Sequence, residues 1–218
     1  MSLPRPVRAV VFDMDGLLCD TEAVYRDAMI ATAAERGHDF PLSLFQSMVG
    51  LPAEASDGQV LEHFGQDYPV AAFNARVGER VAAACEAGIP LKAGVAELLD
   101  HLDALALPRA IATSSSHRSV QAHLGLSGII PRFQAIVARG DYARGKPEPE
   151  PFLTAAERLG VAPEDCLALE DSHNGVRAAS SAGMMTVMVP DLLAATDEMH
   201  RLCVLIARDL HEVWAMLR

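Results

Sequence analysis

Six short apolar runs recur along the chain, at residues 7–12 (VRAVVF), 110–113, 135–138, 166–169, 185–189 and 204–207. Each has the length of a buried strand and lacks the alternation expected of a strand with one wet face. Stretches with helical spacing lie between them. In residues 95–106 (VAELLDHLDALA), Val95, Leu98, Leu99, Leu102 and Leu105 fall at i, i+3, i+4, i+7 and i+10, one stripe of a helix. Residues 149–159 and 174–182 also read as helices, closed by Gly160 and Gly183. Buried strands separated by helices require a mostly parallel α/β sheet covered on both faces.

The alternation stops between about Thr21 and Gly88. That stretch keeps a helical period, has few β-branched runs, and is broken by Gly37, Pro41, Gly50, Pro52, Gly58, Gly65 and Pro69. It reads as a helical insert after the first strand. The expected division is a core of residues 1–19 and 92–218 and an insert of residues 20–91. The return link, Gly88-Ile89-Pro90-Leu91-Lys92, is expected to act as a hinge.

Charge narrows the function. Eighteen basic residues face 29 acidic ones, a formal charge of −11, which argues against nucleic acid or an anionic membrane as a partner. No apolar run approaches the ~18–20 residues of a membrane span, and residues 1–8 do not read as a signal peptide. Cys19, Cys85, Cys166 and Cys203 are scattered, with no CxxC pair. A reduced, cytoplasmic monomer is the expectation. Cys19 reads as a small core residue beside the chemistry below. Lysine occurs at two positions, Lys92 and Lys146, so each is more informative than any one arginine.

Four segments at the carboxyl ends of expected strands carry reactive side chains, and ligands of open parallel sheets bind at such ends. The first strand ends in Asp13-Met14-Asp15-Gly16, two carboxylates of which one can attack while the other handles protons. Gly16 permits a tight turn that aims amides at an anion. The second segment, Ile111 to Ser116, ends in hydroxyls. Thr113 and the amides that follow can hold a phosphate oxygen. The third, Gly145-Lys146-Pro147-Glu148-Pro149, stiffens the approach of one point charge. In the fourth, Leu169-Glu170-Asp171-Ser172, paired acids suit a hard, oxygen-seeking cation. Alone, each segment could be a turn or a helix cap; their coincidence at strand ends points to one site.

In order and spacing, DMDGLLCDTE, the Thr113 strand end, GKPEPEPF and LEDSHNG resemble the four motifs of the haloacid-dehalogenase superfamily. The likeness is to its branch with a helical cap after the first motif, which holds β-phosphoglucomutase and many sugar-phosphate phosphatases. It implies a Rossmann-like core and a cap of four or five helices. It also implies a magnesium-dependent phosphatase acting on a small-molecule phosphate ester. Asp13 would be the nucleophile and Asp15 the acid/base. Thr113, Ser114 through its amide, and Lys146 would hold the phosphoryl group. Mg²⁺ would be held by Asp13, Asp171 and the main-chain carbonyl of Asp15, with Glu170 in the outer coordination shell.

Other chemistries of the superfamily fit less well. A dehalogenase would lack Asp15 and need no metal. The phosphonate-cleaving relatives use a cap lysine, and residues 20–91 contain none. The mutase is the runner-up. Its cap arginine grips a second phosphate three residues after a loop glycine, where this chain has Ala53 after Gly50. Arg76 or Arg80 could substitute, and with Tyr25 they are the candidate specificity contacts. His117 and His173 read as capping or surface residues. A catalytically idle binding protein is disfavoured because Asp13, Asp15, Lys146 and Asp171 are all present.

Overall fold

Ala9–Phe12 is wholly excluded from solvent, and that burial places it at the centre of the sheet. In the computed structural model, which describes residues 3–49, 51 and 53–217, this strand (β1) pairs in parallel on both sides. The other strands are β2 (Arg109–Ser116), β3 (Ala135–Arg139), β4 (Cys166–Glu170), β5 (Met185–Met188) and β6 (Leu205–Ile206). All neighbours are parallel, in the order β3-β2-β1-β4-β5-β6. The chain leaves β1 for one flank and returns to fill the other. The strand order therefore reverses at β1, and the crevice of an open sheet lies at that point.

The chain divides into two compact units, Met1–Asp20 with Pro90–Arg218, and Thr21–Ile89. In the first, the sheet carries helices α5 (Val95–Ala104), α6 (His117–Leu124), α7 (Glu150–Leu159), α8 (His173–Ser181), α9 (Asp197–Leu202) and α10 (Leu210–Met216). Helix α5 buries the predicted stripe of Val95, Leu98, Leu99 and Leu102, whereas Leu105 lies past its end and is exposed. Small residues (Ala9, Ala110, Ala112, Ala155, Ala168 and Ala178) line one core layer and let the helix backbones approach the sheet closely, with Phe152 and Val137 filling the remaining volume. The expected strand at 185–189 and the expected helix at 149–159 end within a residue of the observed ones.

Among its described residues the second unit has only helices: α1 (Thr21–Ala34), α2 (Leu42–Met48), α3 (Ala53–Phe64) and α4 (Val70–Ala87). Its core is aromatic. Phe73 is fully buried, stacks on Phe40 with centroids 6.0 Å apart, and meets Tyr68 edge-on at 5.7 Å. Gly50 and Pro52, on which the mutase comparison turns, lie outside the described residues, as does the side chain of Ala53.

Phe152 and its neighbour Leu153 test this packing. Phe152→Ala should cost about 3–5 kcal/mol of unfolding free energy. Leu153→Ala, at a position 40% exposed, should stay within about 0.5 kcal/mol. Denaturant titrations of both variants check the contrast.

Candidate active site

Asp13 directly follows β1, and its amide donates to the Leu169 carbonyl at 2.9 Å. That bond locks the ends of β1 and β4 together and brings Asp13 beside Glu170. Lys146, in the loop between β3 and α7, reaches both. Its ammonium donates to Asp13 Oδ1 and, at 2.6 Å, to Glu170 Oε1. The Lys146 side chain is 5% exposed, with its ammonium 5.0 Å from the centroid of the Phe152 ring.

Glu170 is completely buried, and its carboxylate organises the segment after β4. Oε2 accepts from the amides of Asp171 and Ser172 at 3.0 Å each and from the Ser172 hydroxyl at 2.9 Å. Ser172 also caps α8 by accepting from the Gly175 amide. Two glycines make room for this arrangement. A Cβ on Gly175 would overlap the Glu170 carboxylate, and one on Gly16 would overlap that of Asp171. Gly16 also has φ +83°, which a side chain would disfavour.

Carboxylate oxygens of Asp13, Glu170 and Asp171 lie within 4.8 Å of one another. Two buried acids, Asp13 and Glu170, and the half-buried Asp171 against the ammonium of Lys146 leave excess negative charge. Burial, reinforced by Glu170 and Asp15, pushes Asp13 up to about 8 despite the opposing pull of Lys146. Burial and the neighbouring Glu170 and Asp13 likewise push Asp171 well above the usual carboxylate range. A divalent cation with oxygen preference would remove both penalties, so this donor set fits Mg²⁺.

Asp15 turns to other partners. Ser115 Oγ donates to its Oδ2 at 2.7 Å, and His123 Nδ1 lies 3.0 Å from its Oδ1. Thr113 is buried; its hydroxyl accepts from the Ser115 amide at 3.0 Å, and Tyr142 donates to its carbonyl at 3.0 Å. Ser114 is exposed at the end of β2. The structure thus gathers Asp13, Lys146, Glu170 and Asp171 into one cluster, with Asp15 bonded to Ser115 at the end of β2. Ser115 lay inside a segment read from sequence. His123, in the last turn of α6, had no local signature, and neither did Tyr142.

The remaining candidates are engaged elsewhere. His117 pairs with Asp141 at 2.9 Å, and His173 with the Ala194 carbonyl at 2.9 Å, as surface residues do. Lys92 bridges Asp191 at 2.7 Å and Asp20 at 3.4 Å. In the helical unit, Arg76 forks onto Glu35 with two bonds of 3.1 Å and also reaches Glu79, and Arg80 binds Glu35 too.

Residues 7–183 match the haloacid dehalogenase-like hydrolases. The chain belongs to that family. It is 37% identical over 213 residues to the plasmid CbbY protein of Cupriavidus necator, covering 88% of this chain and 81% of the relative. It is 32% identical over 178 residues to the phosphorylated carbohydrates phosphatase of Thermotoga maritima, covering 82% of each. The crystal structure of a putative beta-phosphoglucomutase from Thermotoga maritima superposes with a TM-score of 0.83 at 29% identity, covering 97% of this chain and 98% of that one. No helix among the described residues is long and apolar enough to cross a membrane.

The raised acids make cation binding depend on pH. In the metal-free fold Asp13 titrates near 8, against 3.8 for an ordinary aspartate, so between those values the folded state holds more protons than the unfolded one. Metal-free stability therefore falls as pH rises through that window, and a bound cation restores it. The gain in Tm from Mg²⁺ should grow from pH 5 to about 8, and calorimetry should show proton release on binding. Heats independent of buffer ionisation enthalpy would contradict the assignment.

Proposed function

We propose that this hydrolase is a magnesium-dependent phosphatase of a small phosphorylated metabolite, in the class of sugar phosphates. The broad class is phosphoric monoester hydrolase. The observation that carries the reading is the cluster of Asp13, Lys146, Glu170 and Asp171 at the end of β1 and β4, with Asp15 two residues from Asp13. The relative that acts on phosphorylated carbohydrates supports the choice of substrate class.

The chemistry follows from the roles these atoms can take. A carboxylate oxygen of Asp13 attacks phosphorus while the bond to the leaving oxygen breaks, and Asp15 gives that oxygen its proton. Water then attacks the aspartyl phosphate, Asp15 takes the proton back, and inorganic phosphate leaves. Lys146 holds Asp13 and offsets charge on the phosphoryl group. Thr113 and the Ser114 amide hold its oxygens. Glu170 fixes Lys146 and the Asp171 segment through its four donors. Asp13, Asp171 and the Asp15 carbonyl would hold Mg²⁺, with Glu170 in its outer shell; when bound, the ion supplies charge neutralisation at phosphorus.

The mutase alternative needs a cation for a second phosphate. Both arginines that could replace the missing one are spent on Glu35, which Arg76 and Arg80 hold down to about 2. This favours transfer to water.

Asp13→Asn should lower kcat on any turned-over sugar phosphate by about 10³-fold or more, and excess chelator should abolish turnover. A phosphate-release assay over a panel of phosphorylated sugars measures both. Metal-dependent turnover that survives Asp13→Asn overturns the nucleophile. Isomerised glucose 6-phosphate from β-glucose 1-phosphate, without net phosphate release, would establish the mutase instead.

A further inference from the structure

A second group of side chains able to hold a metal gathers at Asp15, and of its members the phosphoryl transfer drawn above uses Asp15 alone. One ligand atom each from Asp15, Cys19 and His123 lie within 4.8 Å of one another. A tight loop brings the first two together. The amides of Leu18 and Cys19 donate to the Met14 carbonyl at 2.8 and 3.2 Å, and the Gly16 amide donates to the Cys19 carbonyl at 3.0 Å. Helix α6 delivers His123, whose side chain is 11% exposed; Cys19 is fully buried.

The two clusters differ in donor chemistry. Asp13, Glu170 and Asp171 offer only oxygen. Asp15, Cys19 and His123 offer one oxygen, one sulfur and one nitrogen, a set that selects zinc over magnesium. Tetrahedral zinc with bonds of 2.0–2.3 Å puts its ligand atoms roughly 3.3–3.6 Å apart, and to bind it the Cys19 thiol would give up its 3.6 Å contact with the Met14 carbonyl. The magnesium reading uses the main-chain carbonyl of Asp15 and not its carboxylate.

We propose that Asp15, Cys19 and His123 form an inhibitory zinc site, in which the metal captures the Asp15 carboxylate and removes it from proton transfer. Zinc binds the carboxylate, the imidazole nitrogen and the sulfur. The thiol proton goes to solvent, no electrons are exchanged, and the fourth position stays open to water. The inhibition rests on the acid/base role given to Asp15 above; the binding does not.

The test uses the full chain in saturating Mg²⁺, with p-nitrophenyl phosphate as substrate and Zn²⁺ as the added metal. Zinc should inhibit wild type, and Cys19→Ser should keep magnesium-supported turnover while the zinc concentration for half-inhibition rises by more than about tenfold. Metal-stripped protein titrated with Co²⁺ should show a thiolate-to-cobalt charge-transfer band, lost in Cys19→Ser and weakened in His123→Asn. Equal zinc inhibition of wild type and Cys19→Ser would place the ion among Asp13, Glu170 and Asp171 and overturn the proposal, as would absence of the cobalt–thiolate band in wild type. Turnover surviving in Asp13→Asn would sink the phosphatase mechanism alone, because the cobalt band reports the site without catalysis.

Discussion

The ammonium of Lys146 is shared between Asp13 and Glu170 in a pocket closed to solvent, and the arrangement around it follows from that balance. Two buried carboxylates and a half-buried one with one ammonium are not neutral. Such a cluster is tolerated where its charges are paired and hydrogen-bonded or where a cation can complete it. Glu170 is fully engaged by one ammonium, two amides and a hydroxyl. Asp13 and Asp171 carry the residual charge, and burial pushes both up. That imbalance suits a divalent cation with a preference for oxygen ligands.

This chemistry sits where the sheet topology puts it. The strand order reverses at β1, so the ends of β1, β2 and β4 lie side by side without any helix between them. The chain as a whole carries a formal charge of −11, and Lys146 is the cation set among the acids at these strand ends. In the helical unit Arg76 and Arg80 both pair with Glu35.

Much of this was legible before the fold was known. Strand positions follow from runs such as AVVF and CLALE, because burial on both faces removes polar residues from them. Asp13, Thr113 and Asp171 were visible because their segments sit at strand ends, and Lys146 because lysine occurs at only two positions. His123 and Tyr142 were not. Each belongs to a stretch with a sufficient local explanation, and each meets its partner, Asp15 or the Thr113 carbonyl, only across the fold. Ser115 could have been named with its segment, but nothing local distinguishes it from Ser114 and Ser116.

The sequence by itself determined the alternation of strands and helices, the helical insertion and the four reactive segments, since these depend on periodicity and on residue chemistry over a few positions. Only the tertiary structure decided which charges meet. It spent both cap arginines on Glu35, gave Glu170 four donors, and set Cys19 and His123 beside Asp15. Partnerships across 72 or 133 residues, such as Lys92 with Asp20 and Lys146 with Asp13, are set by strand order and loop geometry. Local sequence carries no record of either.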